Sequence, residues 1–229
     1  MQSLVYRIIG FIISASGIIM HFMSDNMAGA EFMVRHKLAY FTIQTNVIIS
    51  AMFLYLIVKA LINHRKSGKF ETVHINKSTQ MAFTLYITIT MLGYWFMLMP
   101  STGIPKNPVL FINTLTLHTI TPILAIIDLF LFADDSEVKK GEIFKWMIYP
   151  LCYYIFVKIY SKTITEPYYS FKMNGKTIDL MIPYPFLDET LIGVKGVVIS
   201  IIFLLIIFSL LGLLYIYMDK RKTKSSNKF

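Results

Sequence analysis

Residues 38–62 read LAYFTIQTNVIISAMFLYLIVKALI, and this run decides the fold. Lys59 is its one charged side chain, and about 20 mostly apolar residues are enough to carry an α-helix across the hydrocarbon layer of a bilayer. Five further runs read the same way, over about 4–23, 81–99, 109–132, 143–160 and 191–218. The run at 143–160 carries Pro150 and Lys158; a bundle tolerates an interior proline when a neighbour satisfies the freed carbonyl. Composition agrees: 55% of the 229 residues are apolar and 15% charged, with a mean hydropathy of +0.60, too few polar side chains to clothe a soluble domain. The chain reads as all-α and polytopic, a single domain of six transmembrane helices over 1–229 that ends in a basic tail at 219–229.

The cations set its orientation. Arg65, Lys66, Lys69 and Lys77 lie between the second and third runs, Lys139 and Lys140 between the fourth and fifth, and Lys220, Arg221, Lys222, Lys224 and Lys228 in the tail. Six spans put all three groups on one side, which cation bias makes cytoplasmic, with both termini there. The formal charge of +9 is a topology signal, since no basic face interleaved with aromatics suggests nucleic acid. The opposite connections, 24–37, 100–108 and 161–190, hold fewer cations, among them Arg35, Lys37, Lys106 and Lys172. The last is long and rich in tyrosine and proline, with Tyr168, Tyr169, Pro183, Tyr184, Pro185 and Phe186, the kind of loop that folds over a site. The lone Cys152 within an apolar run excludes an internal disulfide and a thiolate metal site.

A polar side chain in lipid is costly unless it faces the bundle interior, so polar positions mark the lining of a cavity. At 100° per residue, Thr42, Thr45, Asn46 and Ser50 share an arc of roughly 140° on the second helix, and Thr114, His118, Thr121 and Asp128 share roughly 80° on the fourth. Thr88 and Trp95 align on the third with Thr84; Tyr149, Tyr153, Phe156 and Tyr160 align on the fifth. Ser14, Gly17 and His21 form one face of the first. Thr42, Thr45 and His118 lie at similar depths, within roughly 3–8 Å by helical rise.

The segments Tyr40-Phe41-Thr42-Ile43-Gln44-Thr45-Asn46, Leu117-His118-Thr119-Ile120-Thr121-Pro122 with Asp128 following, and Tyr184-Pro185-Phe186-Leu187-Asp188 resemble the bacterial six-helix relatives of the androgen-induced and androgen-dependent membrane hydrolases. Animal members of that family cleave fatty acid esters of hydroxy fatty acids. The resemblance implies an intramembrane threonine nucleophile near the start of the second helix and a histidine on the fourth, by position Thr42 and His118, and a bacterial cytoplasmic membrane as the location. It implies a lipid ester as substrate and no cofactor.

The residues themselves leave choices open. A threonine hydroxyl needs a base to become nucleophilic, and neutral imidazole is the usual one; otherwise Thr42 bonds back to its own helix. Thr45, one turn deeper, is the rival nucleophile. Asn46 is either an oxyanion donor or polar packing. Thr88, Trp95, Thr114, Thr121 and Tyr153 form the expected pocket wall, while Asp188 either reaches the pocket mouth or caps the last helix. Asp128 lies about 15 Å along the helix from His118 and does not orient it. No H-E-x-x-H or similar metal motif is present. Two other functions fit the polar stripe: a transporter or channel with His118 relaying protons, or a lipid-binding protein without catalysis.

Overall fold

The computed structural model describes residues 1–28, 36–173 and 176–226. Expectations that rest on Arg35 and on Lys228 lie outside the described residues. The chain is mostly helical, and among the described residues five helices are long and apolar enough to cross a membrane: Gln2–Met23, Phe41–Ser67, Lys77–Leu98, Pro108–Phe132 and Glu189–Lys220. That is compatible with an integral membrane protein.

The helices begin and end where local chemistry dictates. After α1 (Gln2–Ala28), α2 (Phe41–Ser67) closes on Gly68, whose φ of 70° returns its N–H to the His64 carbonyl. Asn76 caps α3 (Lys77–Gly93) by accepting from the Thr79 N–H, and Asn107 caps α4 (Pro108–Leu115) by accepting from Val109 and Leu110. Pro108 fits the first helical position because its missing N–H has no partner there in any helix.

Both α3 and α4 run into π-helical turns, Tyr94–Leu98 and Thr116–Ile120. Each turn is followed two residues on by a proline, Pro100 in the short helix Met99–Thr102 and Pro122 in α5 (Thr121–Phe132). A proline cannot donate to the carbonyl four residues back and its ring crowds it, so the preceding turn widens. The Leu117 carbonyl on the second π turn accepts instead from the Asn46 side chain at 3.2 Å.

Residues 143–160 come as two helices, α6 (Glu142–Trp146) and α7 (Ile148–Tyr160), neither of which reaches spanning length alone. The break belongs to Pro150, which cannot bond the Trp146 carbonyl; Tyr86 Oη donates to that carbonyl at 2.9 Å. The 161–190 connection carries an antiparallel hairpin, β1 (Tyr169–Met173) and β2 (Lys176–Leu180), paired from Tyr169↔Leu180 to Met173↔Lys176. It is the one strand pair among the described residues of a mostly helical chain, and Asn174-Gly175 between two short alternating runs is its sequence signature. The last helix, α8 (Glu189–Ser226), kinks at Gly193, where φ is 67°.

Among the described residues three buried apolar clusters hold the bundle, the smallest of them joining Tyr153 and Val157 to Ile182, Tyr184 and Leu187. Ile49, Phe53, Leu56, Ile87 and Ala125 join α2, α3 and α5; Met81, Leu85, Leu129, Trp146 and Phe208 join α3, α5, α6 and α8. Gly10 lets α1 approach α2 so closely that a Cβ there would lie 2.9 Å from the Phe53 ring. Ion pairs tie the same elements. Lys77 Nζ reaches Asp219 at 2.7 Å. Arg7, 1% exposed, donates through Nε to the fully buried Asp128 at 2.8 Å and through Nη1 to the Val73 carbonyl at 2.7 Å. Gln80 Nε2 donates to the same carboxylate at 2.8 Å.

Candidate active site

Thr42 stands in the first turn of α2, and His118 in the π turn that follows α4. The fold brings Thr42 Oγ1 and His118 Nε2 to 3.5 Å. Thr42 does not bond back to the Leu38 carbonyl, which accepts from Gln44 Nε2 instead. His118 Nδ1 faces the Thr114 carbonyl at 3.1 Å. A carbonyl only accepts, so Nδ1 carries the imidazole proton and Nε2 presents its lone pair to Thr42. Tyr94, on the other π turn, stacks on the imidazole with centroids 4.0 Å apart and planes at 24°. Trp95 Nε1 donates to Thr119 Oγ1 at 2.9 Å and locks the two widened turns together. A base of fixed tautomer, held by a carbonyl and an aromatic face, points at a hydroxyl; π turns recur at such sites.

That hydroxyl borders a partly open cavity of about 110 Å³. Phe41, Thr42, Thr90 and Tyr94 line one side, Pro150, Leu151, Tyr153 and Tyr154 of α7 a second, and Leu204, Leu205 and Phe208 of α8 a third. Tyr184, Phe186 and Leu187 close the end. Among the described residues no charged side chain lines it. Leu151 and Met97 belong both to the lining and to the exposed apolar surface of the bundle.

The other residues singled out in the sequence take a variety of places. Thr45 is fully buried, bonded to the Thr42 carbonyl at 3.1 Å and to Thr90 Oγ1 at 2.9 Å, away from His118. Of the two roles open to Asn46, its bonds are those of polar packing: both of its amide hydrogens are engaged, at 2.8 Å with the Thr42 carbonyl and 3.2 Å with that of Leu117, so it holds the two helices together. Thr88 and Trp95 turn from the cavity, Thr88 to Tyr215 Oη at 2.6 Å and Trp95 to Thr119. Thr114 serves through its carbonyl. Thr121 is buried and its hydroxyl unpartnered. Tyr153 does line the cavity; its hydroxyl donates to the Ala39 carbonyl at 2.9 Å and accepts from the Phe41 N–H at 3.1 Å. Asp188 caps α8, accepting from Thr190 N and Oγ1 at 2.8 and 2.6 Å, which removes it from the cavity mouth.

Asp128 is half of the buried pair with Arg7 and plays no part in orienting His118. The Ile49, Phe53, Ile87 and Ala125 cluster packs between its level and that of His118, and interrupts the polar stripe. Two groups had no sequence signal of their own. Tyr94 acts through a stack that exists only once α3 and α4 pack, and Arg7 finds Asp128 only once α1 and α5 pack.

No known family model matches the chain, and no curated protein or solved structure matches it.

Proposed function

We propose that this chain is a six-span integral membrane protein of a bacterial cytoplasmic membrane that hydrolyses neutral lipid esters, with Thr42 as nucleophile and His118 as general base. The observation that carries the reading is the 3.5 Å approach of Thr42 Oγ1 to a lone pair on His118 Nε2 at the wall of an apolar cavity. Nucleophile and base often sit this far apart before substrate arrives and tighten on binding. Hydrophobic walls suit an acyl chain, and the shared lining and surface residues Leu151 and Met97 suit lateral entry from the bilayer. The resemblance carried by the Tyr40–Asn46, Leu117–Pro122 and Tyr184–Asp188 segments supports the same chemistry and location.

In this reading α6 and α7 cross together as the fifth span. Their combined run, 142–160, rises about 28 Å at helical pitch, close to the hydrocarbon thickness. Both termini are then cytoplasmic, in keeping with the cation clusters. The apolar layer at Ile49, Phe53, Ile87 and Ala125 argues against a continuous path for ions or protons.

The test is covalent labelling of the folded, detergent-solubilised protein with a fluorophosphonate and mass-spectrometric mapping of the adduct. Thr42 is the expected site; the adduct disappears in Thr42→Ala, falls at least 100-fold in rate in His118→Ala, and persists in Thr45→Ala. A folded wild-type protein that is not labelled, or is labelled on Thr45, refutes the assignment.

A further inference from the structure

Acyl transfer needs a donor for the oxygen that receives the carbonyl's electron pair, and the nearby polar groups have other work. Asn46 has no free amide hydrogen, Thr90 is bonded to Thr45, and the Tyr153 hydroxyl hydrogen goes to Ala39.

Tyr184 differs. It precedes the short 3₁₀ turn Pro185–Leu187 and is 8% exposed, yet it lines the cavity beside Phe41 and Thr42. Its ring is fixed edge-on against Tyr40, the residue before α2, at 6.2 Å and 88°, and stacked on Phe186 at 5.4 Å and 14°. Around its hydroxyl lie the Thr42 hydroxyl, the backbone of Thr42 and Phe41, and the Tyr153 side chain. At the first turn of α2 the Phe41 N–H is taken by Tyr153 Oη, and the Thr42 backbone lies against the Tyr184 hydroxyl with the positive end of the helix dipole behind it.

We propose that Tyr184 is the oxyanion donor of the Thr42 site: its hydroxyl and the Thr42 N–H together receive the carbonyl oxygen of a neutral long-chain ester. The inference rests on the hydrolase reading. As the Thr42 oxygen bonds the acyl carbon, its proton passes to His118 Nε2, and the carbonyl pair moves onto the oxygen that Tyr184 and the amide hold without transferring a proton. When that pair returns, the ester C–O bond breaks and the alcohol leaves with the proton from His118. Water repeats the sequence on the acyl-enzyme, releasing the acid and restoring Thr42. Burial raises the Tyr184 phenol above its ordinary range, opposed by hydrogen bonding to Thr42, which keeps the donor protonated at neutral pH. The uncharged lining points to an ester with no phosphate or carboxylate near its carbonyl.

Tyr184→Phe removes one oxygen and keeps the ring. It is assayed by the turnover of a long-chain 4-nitrophenyl ester and by the rate of Thr42 labelling with a fluorophosphonate, whose P=O oxygen occupies the same place. Expected are a 10²–10³-fold fall in kcat and in labelling, KM within threefold and an unchanged melting temperature. A variant within twofold of wild type on both assays overturns the proposal and leaves the hydrolase reading standing, whereas an unlabelled wild type sinks both. If Tyr184→Phe does not fold, a difluorotyrosine at 184 replaces it. An alkaline loss of activity moved to lower pH supports the donor role, and an unmoved pH profile overturns it.

Discussion

Removing the carboxylate of Asp128 strands a guanidinium that is 1% exposed. In the native bundle Arg7 donates to Asp128 twice, from Nε at 2.8 Å and from Nη2 at 3.4 Å, and to the carbonyls of Val73 and Phe132 at 2.7 and 3.3 Å. Asp128→Leu leaves only the two carbonyls. Arginine cannot shed its proton, so the cation stays in an apolar hole at a cost of about 3–5 kcal/mol. The Gln80 amide loses its acceptor as well, adding about 1 kcal/mol. Arg7→Met costs less, because the carboxylate escapes by taking up a proton and keeps the Gln80 donor. The double variant Arg7→Met/Asp128→Leu recovers most of the loss, since an apolar pair of similar volume often replaces a buried ion pair neutrally. The expected order of stability is wild type close to the double variant, then Arg7→Met, then Asp128→Leu. Unfolding in mixed micelles titrated with SDS, read by the fluorescence of Trp95 and Trp146, gives the four values. A loss of about 4 kcal/mol corresponds to roughly a thousandfold change in the folding constant. Additive losses in the double variant, or an Asp128→Leu protein as stable as wild type, refute the picture of a desolvated pair.

Two further outcomes follow from single atoms. A Cβ at Gly17 would lie 2.6 Å from Thr116 Cγ2, so Gly17→Ala should cost about 1–3 kcal/mol and slow Thr42 labelling by displacing the turn that carries His118, both read on one purified sample. The Tyr168 hydroxyl is buried without a hydrogen-bond partner, so Tyr168→Phe should match the wild-type melting temperature or exceed it. Burial also raises the Tyr168 phenol; the folded state favours its neutral form, so that contribution is intact below the unfolded value of about 10 and is lost as pH rises past it. Melting between pH 8 and 11 should therefore fall more steeply in wild type than in the variant, and equal slopes would refute the assignment.

Hydropathy is a property of the linear chain, so the apolar middles of five helices were legible, while Gly68, Asn76 and Asn107 set three of the ends that hydropathy leaves open. The approach of Thr42 to His118 was legible too, as shared depth and facing stripes. Arithmetic at 100° per residue fails where a turn widens. Trp95 aligns with Thr88 on a regular helix, yet lies within a π turn and faces Thr119. The proline two residues beyond each π turn was the available signal. Pro150 likewise split the fifth run. Tyr94 and Tyr184 owe their places to rings from other elements, Tyr94 to His118 and Tyr184 to Tyr40 and Phe186, and no local pattern encodes such contacts. Arg7 and Asp128 are 121 positions apart, and only packing pairs them.

The widened turn at Thr116–Ile120 also constrains how this sequence can change. It absorbs one extra residue, so straightening it into a plain α-helix without a deletion would swing everything from Thr121 onward by about 100° relative to α4. Asp128 would then leave Arg7 if α4 kept its place, or α4 would turn away from its neighbours if Asp128 kept Arg7. A substitution that straightens the turn is therefore closed to evolution and to the protein engineer alike, whereas deletion of one residue inside it would leave α4 and α5 in register and disturb only the placing of His118.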